Sequence, residues 1–236
     1  MRELRFLSCF LATGAGRNFS GMPTDVPVHS LRRDYDLDPL REEELDADPT
    51  SQFRVWFDEA REAGIVEPNA MTLATADASG LVSCRTVLLK AFDERGFVFF
   101  TNYTSRKARQ LAENPRAAVL FPWLPLQRQI EIAGPAEKIS AAESVAYFLS
   151  RPFGSRLGAW VSDQSQIIPS RAILVAKFEE LKKKFADGEV PKPDSWGGYR
   201  IIPQTFEFWQ GGHDRLHDRF RYSLGSQGWS ISRLSP

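Results

Sequence analysis

The side chains best suited to chemistry gather in five short segments. In the first, Arg85-Thr86-Val87-Leu88-Leu89-Lys90, an extended chain puts Arg85, Val87 and Leu89 on one face and Thr86, Leu88 and Lys90 on the other. A guanidinium fixed on a strand makes a rigid bidentate clamp for phosphate. The same pattern suits a strand whose two ends simply emerge into water. Ser105-Arg106-Lys107 follows Phe99-Phe100-Thr101-Asn102 and opens a helix. Bases in a first turn oppose the helix dipole, so they favour an anion bound among the free N–H groups. Gln129, in Gln127-Arg128-Gln129, offers an amide to a heteroaromatic ring or to solvent. Tyr147 and Arg151 are four apart on one helical face, with Ser155 and then Gln164-Ser165 downstream. A phosphate would unite these hydroxyls with the guanidinium, although helix capping accounts for them equally well. The last segment runs from Phe206 through Trp209 and two glycines to Arg215-Leu216-His217-Asp218-Arg219. Extended chain there would align Arg215, His217 and Arg219, which like charges tolerate on an exposed strand or around anions.

The elements that must position these groups change period along the chain. Phe53, Trp56, Phe57 and Ala60 predict a helix over residues 51–64. Period-two runs over 70–76, 81–92, 97–101, 116–123 and 127–136 then predict strands, separated by Asp77-Ala78-Ser79-Gly80 and Asp93-Glu94-Arg95-Gly96. Helices are expected over 106–113, 141–150, where Pro152 marks the stop, and 171–186. Strands return over 196–203, 205–210, 219–223 and 229–234. Such a meander closes most easily into an antiparallel barrel with peripheral helices.

Composition narrows the function classes. Thirty bases balance thirty acids over 236 residues, which argues against a surface built for nucleic acid. The balance is regional: 13 acids face 5 bases over residues 25–67, whereas 8 bases face 3 acids over residues 85–128. Only Cys9 and Cys84 are present, so a disulfide framework and a four-cysteine zinc site are excluded. No apolar run approaches ~18 residues, so the expectation is a soluble, cytoplasmic protein without a transmembrane helix. Residues 1–30 read as a disordered extension or a mis-assigned start, with initiation at Met22, and 31–236 as a single domain. No phosphate-binding glycine loop and no nucleophile elbow occurs. At least two anion sites beside many aromatic rings call for a phosphorylated, planar ligand.

Taken in order, Arg85-Thr86-Val87-Leu88-Leu89-Lys90, Phe100-Thr101-Asn102, Ser105-Arg106-Lys107, Arg128-Gln129, Ser150-Arg151-Pro152, Gly158-Ala159-Trp160-Val161-Ser162, Trp196-Gly197-Gly198-Tyr199 and Arg215-Leu216-His217-Asp218-Arg219 closely resemble the pyridoxine/pyridoxamine 5′-phosphate oxidase family. The resemblance runs from about residue 31 to the C-terminus. It implies an FMN-binding split β-barrel and a homodimer with FMN at the interface. The reaction it implies is oxidation of pyridoxine 5′-phosphate or pyridoxamine 5′-phosphate to pyridoxal 5′-phosphate, with O2 as acceptor and H2O2 released. A split-barrel protein that binds FMN or pyridoxal phosphate without turnover is the alternative.

Carried over residue by residue, the resemblance implies that Arg85, Thr86, Val87, Leu88, Phe100 and Thr101 line FMN. Arg106 and Lys107 would hold its phosphate. Gln129, Gln164, Ser165, Trp209 and Arg219 would complete the pocket from two subunits. Lys90, Tyr147, Arg151 and Ser155 would bind the substrate phosphate. Arg215 and His217 would lie over the substrate ring, with His217 relaying a proton, and Arg32 and Tyr35 would cover the occupied site. Arg156 stands where the family often has glutamine, which would alter the charge near the substrate phosphate.

Overall fold

Asp48 starts the first helix, α1 (Pro49–Glu62), by accepting a hydrogen bond from the Ser51 N–H at 2.8 Å. Pro49 takes the first helical position, where a missing N–H leaves nothing unpaired. The computed structural model describes residues 28–31 and 34–236; residues 1–27, with Cys9 and Met22, and Arg32 and Arg33 lie outside the described residues. Tyr35–Pro236 forms one compact unit, and before it Val28–Ser30 makes a 3-10 turn.

After α1 come β1 (Ala70–Ala76), β2 (Val82–Leu88), β3 (Ala91–Asp93), β4 (Gly96–Asn102), α2 (Arg106–Glu113), β5 (Arg116–Trp123) and β6 (Arg128–Lys138). Then follow α3 (Ala141–Ser150), α4 (Phe153–Val161), α5 (Arg171–Lys184), β7 (Trp196–Ile201), β8 (Thr205–Gln210), β9 (Asp218–Gly225) and β10 (Gly228–Arg233). The strands pair antiparallel in the order β10-β9-β8-β6-β5-β1-β2, and β3, β4 and β7 form a second arm. This curled sheet is a split β-barrel.

β6 joins the two arms. Its first part pairs with β8, from Arg128 opposite Gln210 to Ala133 opposite Thr205. Its last three residues pair instead with β7, Ala136 opposite Ile201. The change of partner brings the Ile202 carbonyl so close to Gly134 that a Cβ there would collide with it. Between these points Ile130 and Ile132 are fully buried.

The continuous strand expected over 81–92 is broken. The Leu89 N–H donates to the Asn69 carbonyl at 2.8 Å, and the next N–H, of Lys90, donates to Val98 at 2.9 Å. The chain thus leaves β1 and joins β4 within one residue, turning the barrel's corner. Pro152 also does more than stop α3: it is the N-cap residue of α4, whose fixed φ of −54° leads into a second helix.

Aromatic packing beneath α1 holds the arms together. The Phe53 ring meets Phe97 of β4 at 4.8 Å, Phe92 of β3 at 4.9 Å and Phe121 of β5 at 5.0 Å, all edge to face. Phe53→Ala removes every one of these contacts, and a loss of about 3–5 kcal/mol is expected. Urea unfolding followed by tryptophan fluorescence will measure it; a loss below about 1 kcal/mol would mean the arms are held elsewhere.

Candidate functional site

At the corner where β2 gives way to Lys90, the sheet and α2, α3 and α4 enclose a cavity of about 420 Å³. Thr86, Val87, Leu88, Lys90, Phe100, Thr101, Lys107, Tyr147, Arg151, Ser155 and Gln164 all line it, uniting much of both predicted site sets. Three cations, Lys90, Lys107 and Arg151, face it without a single carboxylate in the lining.

One end is built by the start of α2. Ser105 caps this helix, its hydroxyl accepting from the Ala108 N–H at 3.4 Å. That places Lys107 in the first turn, where its side chain folds inward and is only 8% exposed. Its Nζ donates to Thr101 Oγ1 at 3.2 Å and to Gln164 Oε1 at 3.0 Å. Burial, reinforced by the nearby Arg85 charge, pushes the Lys107 ammonium down to about 8. Arg85 itself points to the inner side of β2, donating to Thr75 Oγ1 at 2.6 Å, to the Leu73 carbonyl and to Ser83 Oγ. Arg106 is exposed beside this end. Lys107 with its neutral oxygen partners makes this end of the cavity suited to a phosphate ester, while Arg85 and Arg106 stand beside it outside the lining.

The other end is built by the α3–α4 junction. Arg151 is the C-cap residue of α3, and its Nη1 is buried with no hydrogen-bond partner. Burial lowers the pKa of this guanidinium, and it raises that of Tyr147 against the opposing pull of Arg151. Ser155 projects from the first turn of α4 rather than from an irregular turn. Arg156, expected to alter the charge here, turns the other way and lines a separate groove with Leu149, Lys184 and Phe185. Asn102, Gly158, Ala159, Ser162 and Trp196 also line the cavity and received no role from sequence reasoning. Their motifs were visible, but small or apolar side chains carry no chemical signature.

The remaining expected residues form a second cluster. Gln129, Trp209 and Arg219 are direct neighbours across β6, β8 and β9. Trp209 stands 4.7 Å from the His217 ring, and Tyr35 meets both rings edge to face at 5.8 and 5.4 Å. Gly211 makes room for Tyr35, because a Cβ there would lie 2.6 Å from its ring. The leading segment is tied down by Asp218, which accepts from the Leu40 N–H at 2.9 Å, and by Gln210, which donates to the Asp38 carbonyl at 2.9 Å. Arg219 is engaged by Glu207 at 2.7 Å. The segment around Arg215 is not extended: Asp214 and Arg215 both hold left-handed backbone, φ 53° and 65°, strain of the kind that collects at functional sites. Arg215 is therefore exposed and out of line with Arg219. His217 Nδ1 accepts from the Gly212 N–H at 3.2 Å, so the neutral imidazole carries its hydrogen on Nε2. Burial, helped by Arg215, lowers its pKa and favours that neutral form.

None of this cluster lines the cavity. β2 and β6 are three strand spacings apart in the sheet, about 14 Å. Ser165, next to Gln164 with φ 72°, also stays outside the lining.

A curled antiparallel sheet with an aromatic-walled, cation-lined cavity at its corner defines a split-barrel protein for anionic, planar ligands. Among the described residues no helix is long and apolar enough to cross a membrane, and no cluster of His, Cys, Asp and Glu could hold a metal. Residues 57–185 match the family described as pyridoxamine 5′-phosphate oxidase, and residues 196–236 match the pyridoxine 5′-phosphate oxidase C-terminal dimerisation region. The chain is 60% identical over 212 residues to the pyridoxine/pyridoxamine 5′-phosphate oxidase of Aliarcobacter butzleri, covering 89% of this chain and 100% of that protein. Of solved structures, PhzG from Burkholderia lata, bound to tetrahydrophenazine-1-carboxylic acid, aligns with a TM-score of 0.80 at 32% identity over 86% of this chain and 100% of that one. A pyridoxamine 5′-phosphate oxidase-related, FMN-binding protein from Nostoc punctiforme shares the fold, with a TM-score of 0.63 at 19% identity over 78% and 97% of the two chains. The chain belongs to the pyridoxine/pyridoxamine 5′-phosphate oxidase family.

Phosphate held by the charged Lys107 ammonium is expected to weaken as pH rises past about 8. Between pH 8 and 9.5 titration calorimetry should show a weakening on the order of tenfold. Lys107→Arg, charged throughout this range, should remove that dependence; if it persists in the variant, another group controls it. In the anion-free protein the sign for stability is opposite. The folded state holds fewer protons than the unfolded one between about 8 and 10.5, so this lysine's contribution rises with pH there.

Proposed function

We propose that this chain oxidises pyridoxine 5′-phosphate and pyridoxamine 5′-phosphate to pyridoxal 5′-phosphate, using bound FMN and molecular oxygen. The alcohol yields the aldehyde and H2O2; the amine consumes water as well and releases ammonia. The observation that carries this reading is the cavity in which Lys90, Lys107 and Arg151 face one another without a carboxylate. Family membership and the 60% identity to a protein of that name support it.

The residues present fit FMN. Arg106 and Lys107 would hold its phosphate, and Arg85, Thr86, Val87, Leu88, Phe100 and Thr101 would line the rest of it. Gln164 and Ser165 would close one side. Gln129, Trp209 and Arg219 would come from a second copy of the chain, since in one chain they stand apart from the cavity. The match to a dimerisation region over 196–236 supports such a homodimer. Bound FMN supplies a two-electron acceptor that oxygen then restores.

Lys90, Tyr147, Arg151 and Ser155 bind the substrate phosphate and so fix the distant reacting carbon, a gain from orientation. A guanidinium is a poor proton acceptor, so Arg215 orients the substrate and stabilises charge rather than removing a proton. His217 is held neutral with Nδ1 engaged by Gly212, which makes Nε2 a hydrogen-bond donor to the substrate. Tyr35 would cover the site; Arg32, given the same role by the resemblance, lies outside the described residues.

Purified protein supplied with FMN and pyridoxine 5′-phosphate in air should release H2O2 in step with aldehyde absorbance. Flavin bound without product would indicate a carrier instead. Arg215→Met should slow flavin reduction at saturating substrate on the order of 10²-fold; an unchanged rate removes Arg215 from that step.

A further inference from the structure

Arg151 is costly to hold where it is. Its guanidinium is partly buried, its Nη1 lacks a hydrogen-bond partner, and no carboxylate pairs with it among the described residues. What it does touch is aromatic: its Cζ lies 4.8 Å from the Trp196 ring centre and 5.8 Å from that of Phe148. A ring face attracts a guanidinium and also fixes its plane.

Trp196 is itself held on every side. It is 6% exposed and stands at the start of β7, opposite Asn102 at the end of β4. Its carbonyl accepts from Lys192 Nζ at 3.0 Å. Its ring stacks on Phe100 at 5.1 Å and 10°, and Phe148 closes on it edge to face at 5.2 Å. Phe100 also stacks against Tyr147 at 4.0 Å, and the Tyr147 ring lies 6.2 Å from the Trp196 ring and nearly parallel to it. The two α3 side chains at the substrate-phosphate end of the cavity, Tyr147 and Arg151, therefore lean on one aromatic stack rooted in the barrel.

We propose that Trp196 is a positioning residue that presents the Arg151 guanidinium to the substrate phosphate and so sets the preference for phosphorylated over unphosphorylated ligands. The inference rests on the assignment of Arg151 to that phosphate in the proposed function. Without the indole plane, a flexible arginine must be ordered at each binding event, and only a ligand that uses the guanidinium loses by it. A ligand without a phosphate gains nothing from Arg151 and should not sense the change.

Calorimetric titration of the FMN-saturated enzyme tests this with 4-deoxypyridoxine 5′-phosphate and 4-deoxypyridoxine, neither of which has the oxidisable group. Trp196→Leu should weaken the phosphorylated ligand about tenfold and leave the other within about twofold. Trp196→Phe, which keeps a ring face, should recover most of the loss. In turnover, KM for pyridoxine 5′-phosphate should rise by a similar factor while kcat stays within about threefold. Arg151→Lys should cost much in the parent protein and little more in Trp196→Leu, since both remove the same presentation. Equal weakening of both ligands, or full additivity of the two substitutions, overturns the proposal. Should Trp196→Leu fail to hold FMN, Trp196→Met, which also lacks a ring face, carries the same comparison of the two ligands. Absence of turnover in the parent enzyme would count against the proposed function alone, because the binding comparison reads Trp196 independently.

Discussion

Lys90, Lys107 and Arg151 share one cavity in which no acid answers them, and partial burial makes such charges repel more than they would in bulk water. The chain can keep this arrangement only if the groups bearing the charges cannot move apart. Lys107 is held by Thr101 and Gln164, Arg151 by the Trp196 and Phe148 rings, and Lys90 by the backbone corner where β2 ends. Each tie leads to a different element, and all lead back to the barrel.

The barrel meets that demand through its two arms. α1 drives Phe53 between β3, β4 and β5, so that the wall bearing Phe100 and Thr101 is backed by a tight aromatic core. α3 is fastened to the second arm as well. Arg200 on β7 donates to Glu143 at 3.0 Å and to Asp93 at 2.8 Å, with its own side chain 7% exposed. A buried ion pair of this kind adds little net stability, but breaking it would leave a stranded charge and free the helix that carries Tyr147.

Much of this was legible in the residues. Strands 70–76, 116–123 and 205–210 and helices 106–113 and 141–150 match the structure to the residue, because their apolar period and caps agree. The corner at Leu89–Lys90 was hidden because an apolar run continues through it. α4 was hidden because Pro152 reads as a stop, and only the structure reveals it as the following helix's N-cap residue. The cationic residues of the cavity were legible by type. Trp196 was not, since a tryptophan at a strand start reads as core. Nor could spacing reveal that Gln129, Trp209 and Arg219 stand apart from the cavity, a fact of sheet order alone.

β6 bears on how this chain can evolve. It is laddered to β5 from Arg128 to Pro135 and changes from β8 to β7 partway, with Gly134 at the crossing. Inserting or deleting one residue there would turn Ile130 and Ile132 outward and unseat both arms at once. Variation in length is therefore confined to places such as the 162–170 loop and the 185–195 connector, whose backbones run outside the sheet. Relatives can diversify at the rim of the cavity, then, while the strand beneath it stays the same length.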